Sequence, residues 1–150
     1  ERHQLSPDRL ELEITEDVLV HDFAAVSEVL KDLQQLGVAV AVDDFGSGQT
    51  SLRYLDRFPL STIKIDRSFI RHLAVSPKAA EITRTIVMLG RKLGINVLAE
   101  GVEETDQLDL LRQWQCNEIQ GFLFSKPMTE HDVAELMQQQ GKASKGNKAA

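Results

Sequence analysis

Cysteine is nearly absent from this chain. Cys116 is the only one in 150 residues, so no intrachain disulfide can form, which fits a reducing cytoplasm. Zinc-type ligand spacing is missing too. The four histidines, His3, His21, His72 and His131, are scattered and make no zinc pattern. No apolar run approaches the roughly 18 residues of a membrane span, and the N-terminus is not a signal peptide. The first residue is Glu1 rather than Met. The chain therefore reads as a piece of a longer protein, with any membrane anchor outside it. Positive charge is scarce: 17 Lys and Arg face 23 Asp and Glu, a net charge of −6. The final stretch GKASKGNKAA holds three lysines and no acid, so the rest is more acidic still. Generic nucleic-acid binding needs a basic patch and is disfavoured. A small anionic ligand held through metal ions remains compatible with such a surface.

What is present is a pattern of alternating elements. Hydrophobic residues make up 42% of the chain, enough for one globular domain with a real core. Arg9 to Thr15 reads as a strand, Phe23 to Leu36 as an amphipathic helix stopped by Gly37, and Val38 to Val42 as a buried parallel strand. Ser51 to Phe58 reads as a short helix ended by Pro59. Ser61 to Asp66 is a third strand, Lys78 to Leu93 a helix stopped by Gly94, and Ile95 to Ala99 a fourth strand. Glu103 to Trp114 is a helix with acids at its positive end. Asn117 to Phe122 is a fifth strand, and Thr129 caps a last helix over Glu130 to Gln139. From Gly141 the expectation is a flexible tail. The apolar stripes Val26/Val29/Leu30/Leu33 and Ile82/Ile86/Leu89/Leu93 read as core. Alternation of this kind means a parallel α/β sheet.

A weak internal repeat sharpens this reading. QQLGVAVAVDDFG and RKLGINVLAEGVE both run from helix through Leu-Gly into an apolar strand that ends in an acid. Polar residues end the other strands too. Parallel α/β folds place ligand sites at the C-terminal ends of strands, which would gather Glu13, Asp43 with Asp44, Lys64, Glu100 and Gln120 at one spot. Each alone has a plainer explanation. An Asp-Asp pair suits a turn, and a lone lysine snorkels at a surface. Matched positions on five strands make coincidence a poor account. Carboxylates converging without His or Cys suit Mg²⁺ or Mn²⁺. Two such ions clamp a phosphodiester for in-line attack, and a lysine beside them orients water or offsets charge. Two motifs mislead. The Asp-Phe-Gly lacks every other protein-kinase element, and Gly-Ser-Gly lacks Walker spacing.

The blocks LELEITE, VAVDDFGSGQTSL, STIKIDRSFI, VLAEGVEE and EIQGFLFSKPM, in this order, resemble the EAL domain family of bacterial cyclic di-GMP phosphodiesterases. The resemblance runs from about Leu10 to about Met137. It implies a (β/α)8 TIM-like barrel, two Mg²⁺ or Mn²⁺ ions, and cleavage of cyclic di-GMP to linear pGpG. By that resemblance Glu13 is a metal ligand, Asp43 bridges the ions and Asp44 serves the second. Lys64 holds or activates the attacking water, Glu100 binds at the second ion, and Gln120 hydrogen-bonds in the site. Glu16 and Glu103 hold the loop after the aspartates, roughly Phe45 to Leu55, together with Thr50. That loop is the family's switch for dimerisation and catalytic response. Gln49-Thr50 stands where many members carry an aromatic and Ser.

The Glu-Ala-Leu motif and a metal-binding Asn, N-terminal to LELEITE in the family, are absent. Counting agrees. A TIM-type barrel takes about 250 residues, or about 31 per unit. The chain is expected to hold about five C-terminal βα units of a partial barrel, with residues 1–140 as the C-terminal portion of the domain and 141–150 as tail. The resemblance also implies a homodimer in the intact protein, with an upstream sensor or diguanylate cyclase-like domain as the expected kind of neighbour. The alternative readings are a non-catalytic cyclic di-GMP receptor or regulatory module, and another metal-dependent barrel with a lysine base. With two ligands of the first metal site missing, calorimetry with Mn²⁺ should find at most one tight site on the monomer; two tight sites would contradict the ligand assignment.

Overall fold

The computed structural model describes residues 5–21, 23–46 and 55–146. Five parallel strands form one sheet in the order β1-β2-β3-β4-β5. They are β1 Glu11–Thr15, β2 Ala39–Phe45, β3 Thr62–Ile65, β4 Asn96–Glu100 and β5 Glu118–Gln120. The helices are α1 Val18–His21, α2 Phe23–Leu36, α3 Arg67–Arg71, α4 Pro77–Leu93, α5 Thr105–Gln113 and α6 Glu130–Gly146. Each strand neighbours the next in sequence, and helices bring the chain back between β1 and β2, β3 and β4, and β4 and β5, as parallel pairing requires. The result is a run of consecutive βα units, a partial TIM-like barrel.

The central strands are apolar on both faces because both faces are covered. Val40, Ala41, Val42, Ile63, Ile65, Val97 and Ala99 are all buried. Burying Ile63 or Ile65 fully stabilises the fold by roughly 1.5–3 kcal/mol each. Helices α2 and α4 pack their apolar stripes on this sheet. Gly37 and Gly94 end them in the left-handed region, φ 83° and 71°, where a Cβ is costly. Helix α4 opens on Ser76, whose hydroxyl accepts from the Ala79 amide at 3.3 Å, with Pro77 as its first residue. Phe23 at the start of α2 meets the Phe58 ring at 4.9 Å, tying residues 55–58 to that helix.

Several expectations need correction. Val29 and Leu93, assigned to the core, are 57% and 43% exposed. Residues 55–58 form a turn rather than the end of a helix, and the rest of the expected short helix lies outside the described residues. Helix α6 runs to Gly146, past the expected end at Gln139 and into the expected tail. Helices α1 and α3 have four and five residues, too few for a hydrophobic period to register.

Both edges of the sheet are open among the described residues. Leu12, Ile14, Val18, Val26, Val29 and Leu33 line an apolar cleft of about 370 Å³ beside β1. At the other edge Phe122 and Phe124 are more than half exposed. No described helix is long and apolar enough to cross a membrane. Exposed apolar surface next to unpaired strand edges drives association. Sedimentation velocity over a concentration series should therefore show this chain self-associating; a compact monomer at every concentration would contradict the prediction.

Candidate metal centre and active site

Parallel strands put all five C-terminal ends on one side of the sheet. Register sets the spacing: Thr15 pairs with Asp43, Lys64 with Leu98, and Glu100 with Gln120. In a regular strand Asp43 and Asp44 would point to opposite faces. Strand β2 is not regular there. Its register with β3 shifts between Val42 and Phe45, and Asp44 is left-handed at φ 54°. Aspartate tolerates that conformation better than most residues. A local irregularity of this kind re-aims side chains, and here both carboxylates reach one place. Asp43, Asp44 and Glu100 each offer an oxygen within 4.8 Å of the others.

Lys64 enters the same spot from β3 and is only 6% exposed. Its Nζ lies 2.7 Å from Glu13 Oε1, 2.8 Å from Glu100 Oε1 and 3.2 Å from Asp43 Oδ1. Burial by itself would lower the lysine pKa. Hydrogen bonds to Glu100, Glu13 and Asp43 outweigh it and hold the value above the ordinary one for lysine. The side chain is thus a fixed cation at neutral pH. Glu13 joins the group through Lys64 and stands outside the three-carboxylate cluster.

Asp66 is a site residue that the sequence reading passed over. It caps α3, accepting from the Ser68 amide at 2.9 Å, and hydrogen-bonds Asp44. Its signal was the strand-end rule itself, since it follows Ile65 directly. The Asp44 pKa is raised, first by desolvation, then by the bond to Asp66 and the negative charge of Asp43, Asp66 and Glu100. For Asp66, burial pushes upward, but bonds from Ser68 and Asp44 leave it lowered.

The other expected residues are placed as follows. Glu16 is buried, and its Oε2 accepts from the Gly46 amide at 3.1 Å, so it grips the start of the loop after the aspartates. Thr50 and most of that loop lie outside the described residues. Glu103 lines a cleft of about 880 Å³ with Asp66, Arg67 and Gln107, and any bond from it to that loop falls outside the described residues. Gln120 stands opposite Glu100 in register.

Residues 1–127 match the EAL domain family. This chain belongs to the EAL domain family. It is 44% identical over 128 residues to the Cyclic di-GMP phosphodiesterase PA2567 of Pseudomonas aeruginosa, covering 85% of this chain and 22% of that protein. To the Bifunctional diguanylate cyclase/cyclic di-GMP phosphodiesterase MucR of the same organism it is 46% identical over 127 residues, 85% of this chain and 18% of that one. Among solved structures, the PaMucR phosphodiesterase in complex with c-di-GMP aligns with a TM-score of 0.84 at 44% identity, over 88% of this chain and 53% of that one. The manganese/cy-diGMP complex of Klebsiella pneumoniae BlrP1 aligns at 0.76 and 37% identity, over 82% and 31%. The chain thus spans about a fifth of these curated relatives and about half or less of these two solved chains.

The raised Asp44 pKa gives a pH dependence with a definite sign. A cation held by Asp44 would need this carboxylate ionised, and its pKa stands above the ordinary value of 3.8. Affinity for Mn²⁺ should therefore rise with pH through the window that opens there, more steeply than for an unperturbed aspartate. The same window carries a stability cost, because an acid with a raised folded pKa destabilises the fold as pH rises through it. Mn²⁺ titration by electron paramagnetic resonance between pH 4 and 7 checks this. Equal affinity across that range, or an Asp44→Asn chain with the same pH profile, would refute it.

Proposed function

We propose that this chain is the C-terminal catalytic portion of a metal-dependent phosphodiesterase that hydrolyses cyclic di-GMP to linear pGpG. The observation that carries the reading is the convergence of Asp43, Asp44 and Glu100 beside the buried Lys64 in a member of the EAL family. All-oxygen donors at strand ends fit Mg²⁺ or Mn²⁺. Glu13 and Asp43 would hold one ion, and Asp43, Asp44 and Glu100 the second. When bound, such ions polarise the phosphodiester and make a coordinated water nucleophilic at neutral pH.

The protein's own residues supply the rest. Lys64 donates from its ammonium: it orients the attacking water and offsets charge developing on phosphate oxygens. The carboxylates around it, Glu13 and Glu100 among them, are the proton acceptors at hand. Water adds to phosphorus in line, one P–O ester bond breaks, and the freed ribose hydroxyl takes a proton. Gln120 hydrogen-bonds ligand or water beside Glu100. Glu16 and Glu103 hold the loop that follows β2. Asp66 steadies Asp44 by its hydrogen bond.

Support for the substrate comes from relatives named as cyclic di-GMP phosphodiesterases and from EAL neighbours solved with that ligand. A complete site needs the first barrel units, with the Glu-Ala-Leu motif and an Asn. The intact protein would be a cytoplasmic homodimer whose upstream domains supply the input. A non-catalytic receptor would be expected to lose metal-binding acids, yet Glu13, Asp43, Asp44 and Glu100 are all present.

The test is chromatography of cyclic di-GMP incubated with Mn²⁺ and either this chain or the chain extended through the missing units. The extended domain should form pGpG, and Asp43→Asn should slow it on the order of 100-fold or more. Binding without turnover in the extended domain would favour the receptor. No affinity for the dinucleotide would remove the assignment altogether.

A further inference from the structure

Immediately after Glu100 the chain makes a tight turn into α5, and three sets of contacts fix it. Gly101 is left-handed, φ 73°, and a Cβ there would lie 2.9 Å from Arg67 Cβ. Val102 is fully buried. Its amide donates to the Gln120 carbonyl at 3.0 Å, and its own carbonyl accepts from the Leu123 amide at 3.0 Å. Gly121 sits so close that a Cβ would fall 2.1 Å from the Val102 oxygen. The turn therefore fastens the end of β4 to the end of β5, and with them Glu100 to Gln120.

One side chain fastens the turn itself. Gln107 Oε1 accepts from the amides of both Glu103, at 2.9 Å, and Glu104, at 3.1 Å. Glu104 is the N-cap of α5, so the bond to its amide is an ordinary helix-start contact. The bond to Glu103 is not. That residue lies before the cap, inside the turn. Gln107 is also only 3% exposed, whereas helix capping needs no burial. A buried acceptor that takes two amides from one turn acts as a pin through it.

We propose that Gln107 is a positioning residue for the site: by pinning residues 103 and 104 it sets where Glu100 and Gln120 stand relative to Lys64. The proposal deepens the phosphodiesterase reading and rests on it for the ligand those residues face. The chemistry required at this position is narrow. The side chain must be as long as glutamine and must end in an acceptor with room for two N–H groups. Glutamate meets both conditions. Leucine fills the space and accepts nothing, which leaves two amides without their partner.

The experiment uses the full chain, isotopically labelled, in four forms: unchanged, Gln107→Leu, Gln107→Glu and Glu100→Gln. Two quantities are read by NMR: the Lys64 Cε and Nζ resonances, and amide exchange along the chain. In Gln107→Leu the Glu103 and Glu104 amides should exchange roughly tenfold faster, the scale of losing a buried acceptor. The Lys64 resonances should move toward their positions in Glu100→Gln, while β2 and β3 amides keep their protection. Gln107→Glu should restore both. Lys64 resonances unchanged in the leucine variant would overturn the proposal. So would loss of β2 and β3 protection in that variant, which would make Gln107 a folding residue only, or failure of glutamate to rescue. None of these readouts depends on turnover. A chain inactive on cyclic di-GMP would count against the functional reading and leave the positioning result standing.

Discussion

The Lys64 ammonium meets carboxylates from β1, β2 and β4 within 3.2 Å, and the layout of the strand ends depends on that cation. Glu13, Asp43, Asp44, Asp66 and Glu100 would otherwise face one another at short range with little to offset their repulsion. A buried lysine is expensive to desolvate, and here the surrounding acids reverse the effect on its proton affinity. The same arrangement defines its chemical role. A lysine among these acids gives hydrogen bonds and positive charge at the strand ends.

Charge balance at one point needs side chains delivered from different strands, and backbone irregularity does part of that delivery. The shift in β2 and the left-handed Asp44 bring two sequence neighbours to one side. Between β4 and β5 the register stays regular, and the Val102 backbone ties the two strand ends together. At β2 the backbone gives up regular pairing next to the cluster, where a regular strand would send alternate side chains away from it.

The open edges follow from the same architecture. Consecutive βα units bury their central strands on both faces and leave the first and last exposed. Leu12 and Val18 at one edge, and Phe122 and Phe124 at the other, are the apolar groups that further units of a barrel would cover. Val29 belongs with them. It has the helical spacing of a core residue, but its side of α2 faces the open cleft.

Much of the fold was legible in sequence because it is written in local terms. Apolar runs such as Val38 to Val42, stops such as Gly37 and Gly94, and the repeat of Leu-Gly, strand and acid need only near neighbours to be read. Residue type likewise specified the donors: acids and one lysine at strand ends, with no zinc pattern. Other features depended on contacts distant in sequence. Asp66 looked like part of a strand end until Asp44 lay against it, and only the fold brings the Gln107 side chain against the turn. The burial of Lys64 was invisible as well, because its three partners come from Glu13, Asp43 and Glu100, far apart along the chain. The sequence by itself determined which chemical groups exist and on which elements they ride. Only the tertiary structure decided which groups meet, since burial, register shift and charge compensation arise between strands and not along them.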